Sequence, residues 1–456
     1  MSAPTASGGA SVIEDWLQQL GSHAEGNRHE DPGYYADIPK DLISISKLEK
    51  LAIGTGEQLL SDIVPCLENA QQEVLFVTCF WAASASQRAL ASWLRTLAAN
   101  ARRQNRTIRV RICFSSLSLV QKLFQTSSLA GKDYSPDTWS SKLGLPSSSE
   151  LVGLDIRIKS IFVRPFSVMH PKFIVVDRQR AFIPSCNLLK FWKEFWGRGH
   201  LPEWGVESQP PPELDQPTAS SEENGHLPPS PSTKSRPLPV LKRLGLEEVQ
   251  TLFLPSPHHK NPHFRLLTRC CPPPPTPLNL FILAAFSAAK KSIYVQTPNL
   301  TSPPVLSALL DAAKRGVDVH VVTSTRMMVL EQVVTAGTVT ELCVSQLHRR
   351  HRRLVEEQSR SMLADPESGG RQIGELKIDY FHANGGNDIS NEPVRSHLKL
   401  SIVDEEITIL GSGNMDRASW YTSQELGLAF FSGPLAGEVK KVVGSGLEGR
   451  LTRKVT

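Results

Sequence analysis

The chain has 456 residues, with 40% hydrophobic residues, 33 prolines, a net charge of +5 and a pI near 8.8. That length holds two ordinary domains plus unpacked segments, and the mild basic bias suits an anionic partner, lipid or nucleic acid, without selecting one. Seven cysteines, an odd count with no Cys-x-x-Cys, argue against a disulfide framework and for a reducing compartment.

In chain order, Val12–Leu17 reads as a short amphipathic helix in an otherwise mixed N-terminal segment. Met1–Ala10 has neither the basic nor the apolar part of a secretory signal. From Gly56, Leu59, Leu60, Ile63 and Leu67 mark one helical face, and Glu73–Phe80 reads as a buried strand. Ala89–Arg102 is helical by the spacing of Leu90, Trp93, Leu94 and Leu97, while Thr107–Phe114 and Asp155–Lys159 alternate as strands. The second half retraces this order. Leu278–Lys291 predicts a helix, Ser292–Gln296 a strand, Val305–Arg315 a helix, Val317–Val322 a strand, and Lys377–Phe381 another. The longest apolar run, Leu278–Ala289, is too short to span a bilayer and reads as a core helix, so a cytoplasmic or peripheral-membrane protein is expected.

Residues 208–239 are rich in Pro, Ser, Glu and Gly and cannot bury enough apolar surface to order themselves. Expected boundaries are therefore a variable segment 1–50, a first half 51–207, a linker 208–240, a second half 241–435 and a tail 436–456. Leu347–Leu354, with four arginines and two histidines, is the strongest charge cluster and reads as a solvated helix face.

One short pattern occurs twice. His170-Pro171-Lys172 is followed by Asp177, and His397-Leu398-Lys399 by Asp404, both as His-x-Lys-x4-Asp. After equal six-residue gaps come Pro184-Ser185-Cys186-Asn187 and Gly411-Ser412-Gly413-Asn414. Histidine and lysine two apart share one face of a strand, a pairing suited to phosphate chemistry. An imidazole can attack phosphorus or carry protons, and an ammonium neutralises phosphoryl oxygens.

The doubled motif with matched tails resembles the phospholipase D superfamily, and Gly411–Trp420 is similar to its phospholipase D and cardiolipin synthase-like branch. The resemblance implies an α/β fold of two homologous α/β/α sandwich halves related by a pseudo-two-fold axis, with the active site between them. It implies a phospholipid phosphodiesterase or phosphatidyltransferase working through a phosphohistidine, with water or an alcohol as acceptor. A nucleic-acid phosphodiesterase is the alternative, and a catalytically weak scaffold a third reading. His170 is assigned as nucleophile and His397 as general acid/base, although the sequence alone admits the reverse. Lys172, Lys399, Asn187 and Asn414, with Ser185 and Ser412, would hold the non-bridging oxygens. Asp177 and Asp404 belong to the catalytic signature, yet their place at strand ends points to fixing a turn. Glu203 and Glu425, heading Glu-Trp-Gly-Val and Glu-Leu-Gly-Leu, take the role of carboxylates that orient the histidines across the halves. No metal or other cofactor is expected, since lysines supply the positive charge. A monomer is expected.

Two departures stand out. Pro184 replaces the usual Gly and Cys186 a smaller or more polar residue, which could reshape the first phosphate loop. His258-His259-Lys260 repeats His-x-Lys without its Asp and, with His263, lies among prolines, which makes it a loop coincidence.

Overall fold

The computed structural model describes residues 7–29, 38–54, 56–81, 83–115, 130–163, 167–184, 203–204, 240–257, 272–325, 327, 329–364, 371–382 and 395–453. Helix α1 (Ser7–Arg28) precedes strand β1 (Ile43–Ile53), α2 (Gly56–Glu68), β2 (Glu73–Val77), α3 (Ala85–Arg103) and β3 (Ile108–Phe114). Then come β4 (Lys132–Asp133), α4 (Trp139–Leu143), β5 (Leu154–Ser160), the short pair β6 (Phe162–Val163) and β7 (Ser167–Val168), β8 (Phe173–Val176), β9 (Arg180–Phe182) and β10 (Glu203–Trp204). The second half begins with β11 (Val240–Ser256) and continues through α5 (Pro277–Ala288), β12 (Ser292–Gln296), α6 (Pro303–Lys314) and β13 (Asp318–Ser324). It adds α7 (Val329–Ala336) and α8 (Thr340–Ala364), then β14 (Leu376–Phe381), β15 (Arg395–Ser396), β16 (Leu400–Val403) and β17 (Ile407–Gly411). Helix α9 (Arg417–Tyr421), β18 (Glu425–Phe431), α10 (Gly433–Leu447) and β19 (Leu451–Arg453) end it.

The duplication is visible in the sheets. The first has six strands in the order β4-β5-β3-β2-β8-β9, and the second contains β19-β14-β13-β12-β16-β17 within nine. In both, the strand after the motif lysine runs antiparallel to β2 or β12, which is parallel to the strand beyond it. The expected strands and helices form at nearly the expected positions; where one face is exposed, as on α3 and β3, the spacing places the larger apolar residues on the buried face. On α3, Ser84 accepts from the Gln87 N–H as N-cap, and Leu90, Trp93, Leu94 and Leu97 are fully buried against the sheet. Helix α5 has no polar face because α1 covers its outer side.

The outlying segments are part of the second half. Trp16 of α1 is fully buried, donates from Nε1 to the Pro277 carbonyl at 3.0 Å and stacks edge-on against Phe281. Strand β1 pairs antiparallel with β11 along nearly its whole length, so residues 43–53 extend the second sheet. At the other end, Leu435, Val439, Val442 and Val443 of α10 close a separate core on that sheet's far face, and β19 pairs with β14. The second sheet thus has helices on both faces. On the first, α2 and α3 cover one face, while the other bears Arg109, Arg111, Asp155 and Arg157 with no helix over it among the described residues. The Pro/Ser-rich linker and the His258–His263 cluster lie outside the described residues. The proline run is described from Pro272, and its Pro275 carbonyl accepts from Asn27 of α1.

Candidate active site

Both motif lysines are buried, and both fold back on their own motif. Lys172 Nζ donates to the His170 carbonyl at 2.7 Å, and Lys399 Nζ to the His397 carbonyl at 2.7 Å. The His and Lys of each motif precede the strand proper, which starts at Phe173 or Leu400. Leu398 and Leu400 turn into the core beneath α10, as the alternation requires.

The halves meet at His170. Its Nδ1 lies 2.9 Å from both carboxylate oxygens of Glu425, a residue of the other half, and the Glu425 side chain is 1% exposed. The backbone fixes this contact: the His170 N–H donates to the Gln424 carbonyl, and the Gln424 N–H to that of Val168. Burial pushes the His170 imidazole down to about 4, with Lys172 and Lys399 adding to the effect and Glu425 opposing it. Burial alone would raise the Glu425 carboxyl, but His170, Lys172 and the Ser412 hydroxyl hold it below the usual carboxylate range. At neutral pH the pair is an ionised carboxylate and a neutral imidazole whose Nδ1–H points at it, which leaves the lone pair on Nε2. The His170 side chain keeps 16% exposure, enough for a reactant to reach it.

His397 differs. The Lys399 ammonium lies 2.7 Å from its Nδ1 and 3.2 Å from its Nε2, and the residue is buried. On the Glu203 side, the β10 backbone pairs in parallel with β15, next to His397. Each Glu-bearing segment therefore crosses to the opposite motif, but in different registers. Gln424, before Glu425, faces Met169, before His170; Trp204, after Glu203, faces Ser396, before His397. The Glu203 side chain is outside the described atoms, as are Ser185 and Asn187.

Asp177 and Asp404 face away from the histidines and bind backbone. Asp177 accepts from the N–H groups of Gln71, Gln72 and Glu73 at 2.7–2.9 Å, and Asp404 from those of Lys290, Lys291 and Ser292 at 2.7–3.2 Å. Each also begins a tight turn in the left-handed region, with φ +53° at both. Partial burial works against the Asp177 carboxylate, and the three donors outweigh it, holding the group below the ordinary range. Each thereby clamps the turn that joins the motif strand to the strand beside it, the turn-fixing place that their position at the strand ends suggests.

The Ser412 hydroxyl donates to Glu425 and accepts from the Leu426 N–H, which holds the carboxylate in place. Asn414 is buried, with Nδ2 donating to Asp416 at 2.9 Å. Asp416 was not singled out by the sequence; it caps α9 by accepting from the Ser419 N–H, and burial raises its carboxyl. A short side chain followed three residues on by a Ser N–H donor is a cap signal that the sequence does carry. Gly411 has a packing reason: a Cβ there would sit 2.4 Å from the Leu426 carbonyl oxygen, where β17 meets β18 at Gly427. Its counterpart Pro184 follows β9, an edge strand among the described residues, where a missing N–H leaves no ladder bond unmade.

Lys172 and Lys399 bring two positive charges against the one negative charge of Glu425, an arrangement that favours a bound anion. Among the described residues, no group of three or more His, Cys, Asp or Glu could hold a metal ion.

Residues 282–445 match the family model described as the cardiolipin synthase, PLD-like domain. Comparison with curated proteins gives no match. Among solved structures, the chain is similar to phosphatidylserine synthase of Haemophilus influenzae Rd KW20, at 12% identity over 96% of this chain and 92% of that one, with a TM-score of 0.48. It is also similar to Nuc, a phospholipase D family member from Salmonella typhimurium (20% identity, 39% of this chain and 91% of that one, TM-score 0.26). NucT from Helicobacter pylori matches at 13% identity over 37% of this chain and 87% of that one, with a TM-score of 0.25. Residues 282–445 are thus matched as a phospholipase D-like domain that holds the second His-x-Lys-x4-Asp motif, and the first half repeats that motif at His170–Asp177.

Proposed function

We propose that the protein is a phosphatidyltransferase or phospholipase that exchanges the alcohol on a phospholipid phosphodiester through a phosphohistidine on His170. The observation that carries this reading is the His170–Glu425 pair, a buried neutral imidazole with its Nδ1 proton fixed by a carboxylate of the other half. The Nε2 lone pair attacks phosphorus, the N–P bond forms, and the P–O bond to the leaving alcohol breaks. His397 gives that oxygen its proton. His397 then takes the proton of water or an incoming alcohol, whose oxygen attacks phosphorus as the N–P bond breaks. Lys172, Lys399 and Asn414 stabilise the charge on the non-bridging oxygens, and Glu425 stabilises the imidazole as it becomes positively charged. The cardiolipin synthase-like domain match supports a phospholipid over a nucleic acid as substrate.

The test supplies phosphatidylcholine, then phosphatidylglycerol, with ethanol or glycerol as acceptor, and looks for the new phosphatidyl alcohol and phosphatidic acid. Rapid quenching should trap acid-labile phosphate on His170, absent in His170→Ala. If no lipid product forms and single-stranded DNA or RNA is cleaved, the lipid reading is wrong and the nuclease alternative replaces it.

A further inference from the structure

Helix α7 is built inside out. Its Gln332 is buried and fully engaged: Nε2 reaches the Met327 carbonyl and lies 3.1 Å from the Asn299 amide, while Oε1 accepts from the N–H and hydroxyl of Thr340. Its three valines face water, with Val329 41%, Val333 48% and Val334 42% exposed. The first turn of α8 continues the patch with Leu342, 56% exposed. A helix that buries its glutamine and exposes its valines gains nothing in water, and contiguous exposed apolar surface marks an interaction site.

Position and charge define the occupant. Helix α7 follows the end of β13, where the Ser324 hydroxyl donates to the Ser396 carbonyl, next to His397. On α8, Leu342, Gln346, Arg349 and Arg353 follow the helical repeat on one exposed stripe, about 16 Å long. Arg349 and Arg353 have no carboxylate partner among the described residues, whereas Arg352 and Arg360 share Glu356. Apolar side chains at the rim of the site with arginines behind them match an anionic bilayer surface, where aliphatic groups enter the acyl boundary and guanidinium groups meet phosphates.

We propose that α7 and the first four turns of α8 dock the protein on an anionic phospholipid bilayer, with Val329, Val333 and Leu342 inserted and Arg349 and Arg353 on the headgroups. This rests on the phospholipid reading of the site above. The experiment floats the full chain with phosphatidylcholine vesicles, with and without phosphatidylglycerol. Val333→Asp/Leu342→Asp should lower partitioning onto both vesicle types at least tenfold. Arg349→Ser/Arg353→Ser should lower it about 30-fold on the anionic vesicles alone, from about 1 kcal/mol per basic residue at such a surface. The same charge change on α3, Arg102→Ser/Arg103→Ser, should leave binding unchanged. Turnover of a soluble short-chain phospholipid should be unaffected in all three, which separates this surface from the reaction. Vesicle binding equal to wild type in the first two variants overturns the proposal. So does a dimer that falls to monomer in Val333→Asp/Leu342→Asp, which assigns the patch to a second copy. Loss of single-stranded DNA binding, but not vesicle binding, in the arginine variant also overturns it. Absence of short-chain turnover in the wild type would instead refute the phospholipid reading.

Discussion

Replacing Asp404 separates a structural clamp from a catalytic group, because the structure ranks its substitutions in an order that catalysis would not. The carboxylate accepts from three backbone N–H groups at 2.7–3.2 Å. Near the surface, each is worth about 1 kcal/mol net. Asp404→Ala removes all three and places an alanine at φ +53°, which adds about 1 kcal/mol of strain, for about 4 kcal/mol in all. Asp404→Gly loses the same bonds without the strain and should cost about 3 kcal/mol. Asp404→Asn keeps one acceptor oxygen and tolerates the left-handed conformation, so its cost should be about 2 kcal/mol. For a half of this size each kcal/mol moves the melting temperature by about 2–4 °C, so thermal scans resolve the series. Turnover per folded molecule, measured well below the transition, should stay within about threefold of wild type. An unchanged melting temperature with a hundredfold loss of turnover would refute the clamp. So would Asp404→Ala proving as stable as Asp404→Gly.

Two further outcomes follow from the site. Because burial lowers His170 to about 4, the acid limb of kcat/KM should fall near pH 4 instead of near 6.5; an acid limb at 6.5 would show that this imidazole is not the neutral nucleophile. The same shift means that between about 4 and 6.5 the unfolded chain binds the extra proton, so stability should rise as pH rises through that window and be lost as pH falls, and His170→Gln should flatten the slope in urea melts. At the glycines, Gly411→Ala should destabilise by about 2–4 kcal/mol because its Cβ meets backbone at 2.4 Å, while Gly413→Ala, with its nearest contact at 3.5 Å, should cost under about 1 kcal/mol in thermal melts.

The inner strands and their helices were legible because burial on one or both faces writes a period into the sequence, as in Ile108–Phe114 and on α3. Strand β1 was not: Ile43–Ile53 is an edge strand, largely exposed, so no clean alternation marks it. Nor was the extent of α1, whose one decisive residue, Trp16, finds its partners in residues 277 and 281. At the site, motif spacing located both His-Lys pairs and Glu425, since the two copies calibrate each other. It could not separate a serine that faces substrate from one that holds Glu425, because both uses need the same hydroxyl at the same place. The fate of Asp177 and Asp404 was half legible: their position predicted a turn, but only coordinates reveal the three N–H groups each one gathers.

Strands β1 and β11 occupy matching places ahead of their respective repeats, and they pair antiparallel with each other. The segment ahead of the first repeat thus closes the edge of the second repeat's sheet, which ties the two copies together through backbone hydrogen bonds. The second repeat expressed alone would present β11 as an open edge. Tethering both in one chain makes the pairing intramolecular, at a high effective concentration. It also frees the copies from identity, so that one can carry Pro184 and the other Gly411 at the same place in the pattern.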